Sequence, residues 1–302
     1  MRPPVAFRAA ESVDQACALL AENDEARAVA GGTALAILLR QGLVRPELLV
    51  SVSRIPGLRD IEADGQLRQG PGLPGTQADG QLRLGAAVPL RVAEQHPLVR
   101  QGWPVLAETL RLVATPRIRN MATIGGGVAH ADPAQDPPVT FVALKARMLV
   151  ASATGQRSIS ADEFFVDYYE TALRQGELLL GVEVPPLPSN ARAVFLKYRP
   201  RSVEDYATVS AAAVVQLDEA GVCREARLVL GAVGSTPVTV PVAEALVGEP
   251  VTQARAREAA ELARERVDPN DDVRGSAGYK REMAVVFARR AVLAAAAAPH
   301  PR

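Results

Sequence analysis

Apolar residues along this chain fall in short runs punctuated by glycine and proline, and the spacing within the runs predicts alternating strands and helices. Arg27-Ala28-Val29-Ala30 reads as a strand. It is followed at once by Leu35-Ala36-Ile37-Leu38-Leu39-Arg40, a helical segment rich in good helix formers. Upstream, Ser12 is placed to cap a helix over residues 13–22, and downstream Leu48-Leu49-Val50-Ser51-Val52 reads as a buried strand. An amphipathic helix over 105–113 leads into a long glycine-bearing loop. Beyond it come strands over 207–217 and 226–233, then helices over 252–267 and 276–297. Pro185-Pro186-Leu187-Pro188 marks a boundary, so the pattern divides the chain into lobes 1–55 and 56–184 and a C-terminal domain 190–302. The fold class expected for this mixture of strands and helices is α+β.

One segment is nearly duplicated. Ala63-Asp64-Gly65-Gln66-Leu67-Arg68-Gln69-Gly70 recurs as Ala78-Asp79-Gly80-Gln81-Leu82-Arg83-Leu84-Gly85, with Pro71-Gly72-Leu73-Pro74-Gly75 between the copies. The first copy and its linker, 63–77, read as an inserted mobile surface excursion, with paired duplicate strands at a sheet edge as the alternative.

The candidate chemistry lies in two glycine turns. The first, Ala30-Gly31-Gly32-Thr33-Ala34-Leu35, connects a strand to a helix start, where unpaired amides suit phosphate oxygens and Thr33 is placed to cap. Alone, it reads more readily as an ordinary strand-to-helix turn. The second, Thr123-Ile124-Gly125-Gly126-Gly127, offers main chain without side-chain cover, again after a strand-like run. Asp132 and Asp136 follow at positions suited to sugar hydroxyls, in a stretch stiffened by Pro133, Pro137 and Pro138.

Four ordered motifs carry a family resemblance. Ala30-Gly31-Gly32-Thr33 is the first. Arg119-Asn120-Met121-Ala122-Thr123-Ile124-Gly125-Gly126-Gly127-Val128-Ala129, ending at Asp136, is the second. Glu177-Leu178-Leu179-Leu180 through Val184-Pro185 is the third, and Lys197-Tyr198-Arg199 through Asp205-Tyr206-Ala207 the fourth; Tyr279-Lys280-Arg281 and Arg289-Arg290-Ala291 match a terminal helix. With these motifs the chain resembles the FAD-binding (medium) subunit of the molybdenum hydroxylases, the group of carbon monoxide dehydrogenase and xanthine dehydrogenase.

The resemblance implies a two-lobed FAD-binding fold of the vanillyl-alcohol-oxidase/molybdenum-hydroxylase type, followed by a C-terminal α+β domain with an antiparallel sheet. It implies that Gly31, Gly32, Thr33 and Ala34, with Thr123, Ile124, Gly125, Gly126 and Gly127, hold the pyrophosphate of FAD. Asp136 and nearby groups hold the ribityl or ribose hydroxyls, Leu179, Lys197 and Tyr206 lie at the ring, and Ala30, Leu35, Val113, Ala129 and Asp132 complete the cofactor-binding set. One departure stands out: the family's asparagine is Gly127 here, which removes a side-chain amide. A lost hydrogen bond to a charged group costs about 1.5–3 kcal/mol, so weaker FAD binding is expected.

The implied function is an oxidoreductase subunit that passes electrons from a small [2Fe-2S] subunit through FAD to NAD, a quinone or oxygen. A large subunit would carry the molybdenum cofactor, in a dimer of heterotrimers. This chain itself then has no catalytic residue and no metal ligand. A self-sufficient FAD-dependent oxidoreductase and a degenerate scaffold lacking FAD are the alternatives.

Composition narrows the field further. Lys plus Arg and Asp plus Glu each total 34, which leaves no basic surplus for nucleic acid. The two cysteines, Cys17 and Cys223, form no CxxC pattern and read as small buried hydrophobes. His96, His130 and His300 cannot build a metal cluster by themselves; His130, beside the second turn, reads as a loop residue. No apolar run approaches the roughly 18 residues a membrane span needs, and a cytoplasmic protein is expected. Asp271-Asp272 reads as a solvated turn, and the alanine-rich stretch from Ala291 as the end of a surface helix. No GxGxxG leads into a helix as a Rossmann turn does, and Walker A, HExxH and GxSxG signatures are absent from the sequence.

Overall fold

The computed structural model describes residues 5–65, 67–69, 76–78, 80–188, 190–199, 201–202 and 205–297. The first lobe comprises β1 (Ala6–Ala9), α1 (Val13–Ala21), β2 (Ala26–Val29), α2 (Thr33–Gln41) and β3 (Leu48–Ser51). β3 lies between β1 and β2 and runs parallel to both. Ser12 caps α1, its hydroxyl accepting the Gln15 amide at 3.1 Å. Cys17 and Leu20 of α1 bury against Val50 and Val52 and against Leu178 and Leu180 from later in the chain. The start of α2 departs from expectation: the capping position is Gly32, at φ 67°, and Thr33 makes no side-chain cap. A left-handed residue that only glycine adopts readily has moved Thr33 inside the helix, past the position from which a hydroxyl caps.

The second lobe opens with β4 (Ile61–Ala63), β5 (Leu67–Gln69), β6 (Thr76–Ala78) and β7 (Leu82–Gly85). Helices α3 (Leu90–Gln95), α4 (Pro97–Gly102), α5 (Pro104–Arg111), α6 (Pro116–Arg119), α7 (Ile124–His130) and α8 (Asp136–Ala143) follow. The lobe closes with β8 (Arg147–Ser152), β9 (Gly155–Ser160), α9 (Ala161–Phe164), β10 (Phe165–Asp167), β11 (Glu170–Thr171) and β12 (Leu178–Val184). Its antiparallel sheet has the order β4-β7-β12-β8-β9. The duplicated segments meet each other, Ala63 pairing with Leu82 at the sheet edge and β5 with β6 in a separate two-stranded ribbon. The linker Pro71 to Gly75 lies outside the described residues.

Trp103, Phe141 and Phe164 centre the core of this lobe, and the Trp103 indole N–H donates to the Pro185 carbonyl at 2.8 Å, which pins the proline-rich boundary. Every residue of α8 is buried. Its prolines, Pro137 and Pro138, sit in the first turn, where an amide would lack a helical partner in any case.

The C-terminal domain is an antiparallel meander of β13 (Ala191–Tyr198), β14 (Val209–Leu217), β15 (Cys223–Gly231) and β16 (Val238–Val240). Helices α10 (Ala243–Leu246), α11 (Gln253–Glu261), α12 (Ala263–Arg266) and α13 (Ala277–Ala296) cover it. Ala284, Ala288, Ala291 and Ala295 share one face of α13 at helical spacing, and they bury in one core with Ala211 and Ala213 of β14. The alanine-rich end is therefore a packed face and not the surface helix expected, because side chains this small let helix and sheet approach closely. The other face of the sheet meets α8: a Cβ on Gly231 would fall 2.4 Å from Val139. Cys17 and Cys223 are both buried thiols. Asp272 pairs with Arg274 at 2.6 Å and Lys280 at 2.9 Å, more tightly held than a solvated turn. Among the described residues no helix is long and apolar enough to cross a membrane.

Candidate functional site

The two glycine turns touch. A Cβ on Gly31 would lie 1.9 Å from the Met121 carbonyl oxygen and 3.1 Å from Ala122 Cα, so only glycine lets the first turn rest on the chain leading into the second. Residues from Ala30 to Leu35 thus lie near Gly126, Gly127 and Ala129, the less buried positions of the second turn, although they belong to different lobes, whereas Thr123, Ile124, Gly125 and Val128 are buried.

Their amides are not in the same state. Among the described residues, the N–H groups of Gly31, Gly32, Thr33, Ala34 and Leu35 donate to no protein acceptor. Those of Ile124 to Gly127 in the second turn are spent. Ile124 and Gly125 donate to Val88 and Ala86 carbonyls, each at 2.9 Å, Gly126 to the Thr123 hydroxyl at 3.1 Å, and Gly127 to the Thr123 carbonyl at 3.0 Å. The row of free main-chain donors is therefore on one side: Gly31 to Leu35 present theirs, whereas Ile124 to Gly127 do not. Nor does a strand precede the second turn. α6 and a single bridge between Thr123 and Pro89 lead into it, and the three glycines lie inside the first turn of α7.

The glycines of this turn do different work. Gly125 is buried, and a Cβ there would meet Ala86 at 2.5 Å, so its bareness serves packing against the lobe. Gly126 is exposed and Gly127 half-buried, which leaves them on the open side.

Arg119, to which sequence reasoning assigned no role, anchors the approach to this turn. Its Nε donates to the Glu94 carboxylate at 2.9 Å, with both side chains almost fully buried, and its Nη1 donates to the carbonyls of Val113 and Ala114 at 2.8 and 2.9 Å. Ala114 is held at φ 42°, so the guanidinium fixes an otherwise unfavourable bend beside Val113. No local pattern announces this pair, because its partners are 25 residues apart.

A second cluster forms where the C-terminal domain meets α8. Asp132 folds back on itself, its Oδ1 accepting the Ala134 amide at 2.9 Å. Asp136 is buried and ion-paired to Lys197 Nζ at 2.6 Å, and the same ammonium donates to the Leu112 carbonyl at 3.1 Å. Among the described residues, Asp136 Oδ1 is buried without a hydrogen-bond partner. Burial pushes this carboxyl up to about 6, against the opposing pull of Lys197. Tyr206 is half-exposed under the Arg274 guanidinium, 5.9 Å from its ring centre, and its phenol is pushed up to about 12 by the cover on its other side and then by the Asp132 charge. Tyr169, unassigned from sequence, stands at φ 57° with its ring 5.2 Å from that of His130. Burial holds the His130 imidazole below its usual range. Leu179 is 4% exposed inside the second-lobe core, enclosed by protein, and the structure does not bring it to the open region with the turns. Among the described residues, no three His, Cys, Asp or Glu side chains converge as a metal site.

Residues 4–187 match the family model described as the FAD binding domain in molybdopterin dehydrogenase, and residues 194–295 match the CO dehydrogenase flavoprotein C-terminal domain. The chain is 35% identical to the 6-hydroxypseudooxynicotine dehydrogenase complex subunit alpha of Paenarthrobacter nicotinovorans, over 94% of this chain and 92% of that one. It is 31% identical to the carbon monoxide dehydrogenase medium chain of Hydrogenophaga pseudoflava, over 97% of each. Among solved structures, reconstituted CO dehydrogenase from Oligotropha carboxidovorans aligns with a TM-score of 0.90 at 30% identity, covering 99% of both chains. The order of lobes, the touching glycine turns and these matches agree, and the chain belongs to the FAD-binding subunits of the molybdenum hydroxylase family of oxidoreductases.

Proposed function

We propose that this chain is the electron-relay subunit of a molybdenum hydroxylase complex. In this reading it holds FAD between its first glycine turn and its second lobe, and it works beside a small [2Fe-2S] subunit and a large molybdenum-cofactor subunit in a cytoplasmic dimer of heterotrimers. The observation that carries the reading is the seating of Gly31 on Met121 next to five amides that donate to no acceptor among the described residues. A row of unpaired donors at the start of a nine-residue helix suits a diphosphate.

Once bound, the flavin supplies the redox chemistry, and the protein's part is to bind, orient and exclude water. The amides of Gly31 to Leu35 would hold the diphosphate. Gly126, Gly127 and Ala129 would form a low wall against it, the buried Thr123, Ile124 and Gly125 shaping that wall from behind. Val113, fixed through Arg119, would border the same surface. Asp136, with an unpartnered buried oxygen, would accept a cofactor hydroxyl, and Asp132, Lys197 and Tyr206 would set the charge near the ring. Leu179 would act through the core beneath.

The test begins with the purified chain, reconstituted with FAD and read by its visible absorption. A bound flavin band that is lost on Gly31→Val supports the reading, whereas a chain that stays colourless after reconstitution overturns it. Copurification of the native complex with iron and molybdenum analysis tests the partners. Turnover of an organic donor by the isolated chain would argue instead for a self-sufficient oxidoreductase.

A further inference from the structure

We infer that Gln135 supplies the polar side-chain contact to the cofactor at the second glycine turn, reaching through the space that Gly127 leaves open; the inference rests on the FAD reading above. Ile124, Gly125, Gly126 and Gly127 have no amide to offer, since all four donate within the protein. A polar contact there therefore has to come from a side chain. One is in place: a Cβ built on Gly127 would lie 3.1 Å from Gln135 Oε1, closer than ordinary van der Waals contact, so the carboxamide fills the volume next to the bare turn.

Gln135 is also unspent, for a reason written into its neighbours. It occupies the cap of α8 (φ −73°, ψ 143°), yet its side chain caps nothing. A cap side chain accepts from the second or third helical amide, and here those positions are Pro137 and Pro138, which have no N–H. Among the described residues the carboxamide makes no hydrogen bond, and it is only partly buried. Its backbone is fixed by donation to the Asp132 carbonyl at 3.0 Å. A tethered carboxamide carries both a donor and an acceptor, which matches the hydroxyls and diphosphate oxygens of a dinucleotide. The amide missing at Gly127 is thereby replaced from the next helix, and the weaker binding expected from that glycine is offset.

The experiment measures the FAD dissociation constant of the full-length chain by fluorescence titration, with thermal unfolding as a folding control. Gln135→Met keeps the volume and removes the amide, and it is expected to weaken FAD binding about tenfold or more, the range for a lost hydrogen bond to a charged group. Gly127→Asn in the Gln135→Ala background is expected to recover affinity to within about threefold of wild type. Gly127→Asn alone, crowded by Gln135, is expected to bind no tighter than wild type. Wild-type affinity in a folded Gln135→Met chain overturns the inference and leaves the FAD reading intact. Failure of the swap to recover affinity in a folded chain also overturns it. A wild-type chain that binds no FAD overturns both.

Discussion

Lys197 on β13 and Asp136 at the first position of α8 form an ion pair at 2.6 Å with both side chains 3% exposed, joining the C-terminal sheet to the second lobe. The Lys197 ammonium also donates to the Leu112 carbonyl, so one cation holds three segments together. Taking two charges out of water is costly, and a single unpaired charge left in that place is costlier. Lys197→Met is therefore expected to destabilise the chain by about 3–5 kcal/mol, while Lys197→Met with Asp136→Leu recovers much of the loss. Urea unfolding of the wild type, both single variants and the double variant measures the coupling.

The same pair sets a pH dependence. Burial raises the Asp136 carboxyl from its ordinary 3.8 to about 6, so the folded chain binds this proton more tightly than the unfolded chain does. The stability this group contributes is complete below the unfolded value and is lost as pH rises through about 6. Asp136→Asn cannot titrate, and its stability relative to wild type is expected to rise from pH 4 to pH 7 and then level, as read by unfolding at a series of pH values. A difference that is flat across this window would contradict the assignment.

Gly31→Ala tests the meeting of the turns. Its methyl would collide with the backbone carbonyl of Met121, which cannot rotate away as a side chain does. The expected result is at least roughly tenfold weaker FAD binding, in line with about 1.4 kcal/mol per tenfold. Gly278→Ala, where a Cβ meets nothing within 4 Å on α13, is the control. It should leave FAD binding unchanged and stabilise slightly, by about 0.5–1 kcal/mol from helix propensity.

Glu94→Gln reports on the support behind the second turn. It neutralises the carboxylate facing the buried Arg119 guanidinium, which then lacks a counter-charge while still holding the Val113 and Ala114 carbonyls. A stability loss of about 3 kcal/mol is expected from an uncompensated buried charge, together with weaker FAD binding, although Glu94 lies behind the turn. Thermal unfolding and FAD titration check the two effects separately.

Local chemistry made much of this protein legible from its residues in order. Ser12 caps α1, Ser276 caps α13 and Thr252 caps α11 because each hydroxyl needs only an amide three residues on. The glycines of both turns could be marked for the same reason, since a missing side chain is visible in the sequence whatever surrounds it. The end of α13 was misjudged: alanines carry no sign of which surface they face, and only the sheet beneath them decided it.

What the sequence by itself determined was therefore where many of the strands and helices and both bare turns fall, and which family of flavin-binding subunits they spell. Tertiary structure alone decided how polar groups were spent: which turn kept its amides, that Asp136 and Lys197 pair in the interior, that Glu94 steadies Arg119, and that Gln135 leans over Gly127. The physical reason is reach. A cap or a glycine turn is settled within a few residues, whereas a buried charge or donor is satisfied by whichever partner the packed chain brings within about 3 Å, at any distance along the sequence.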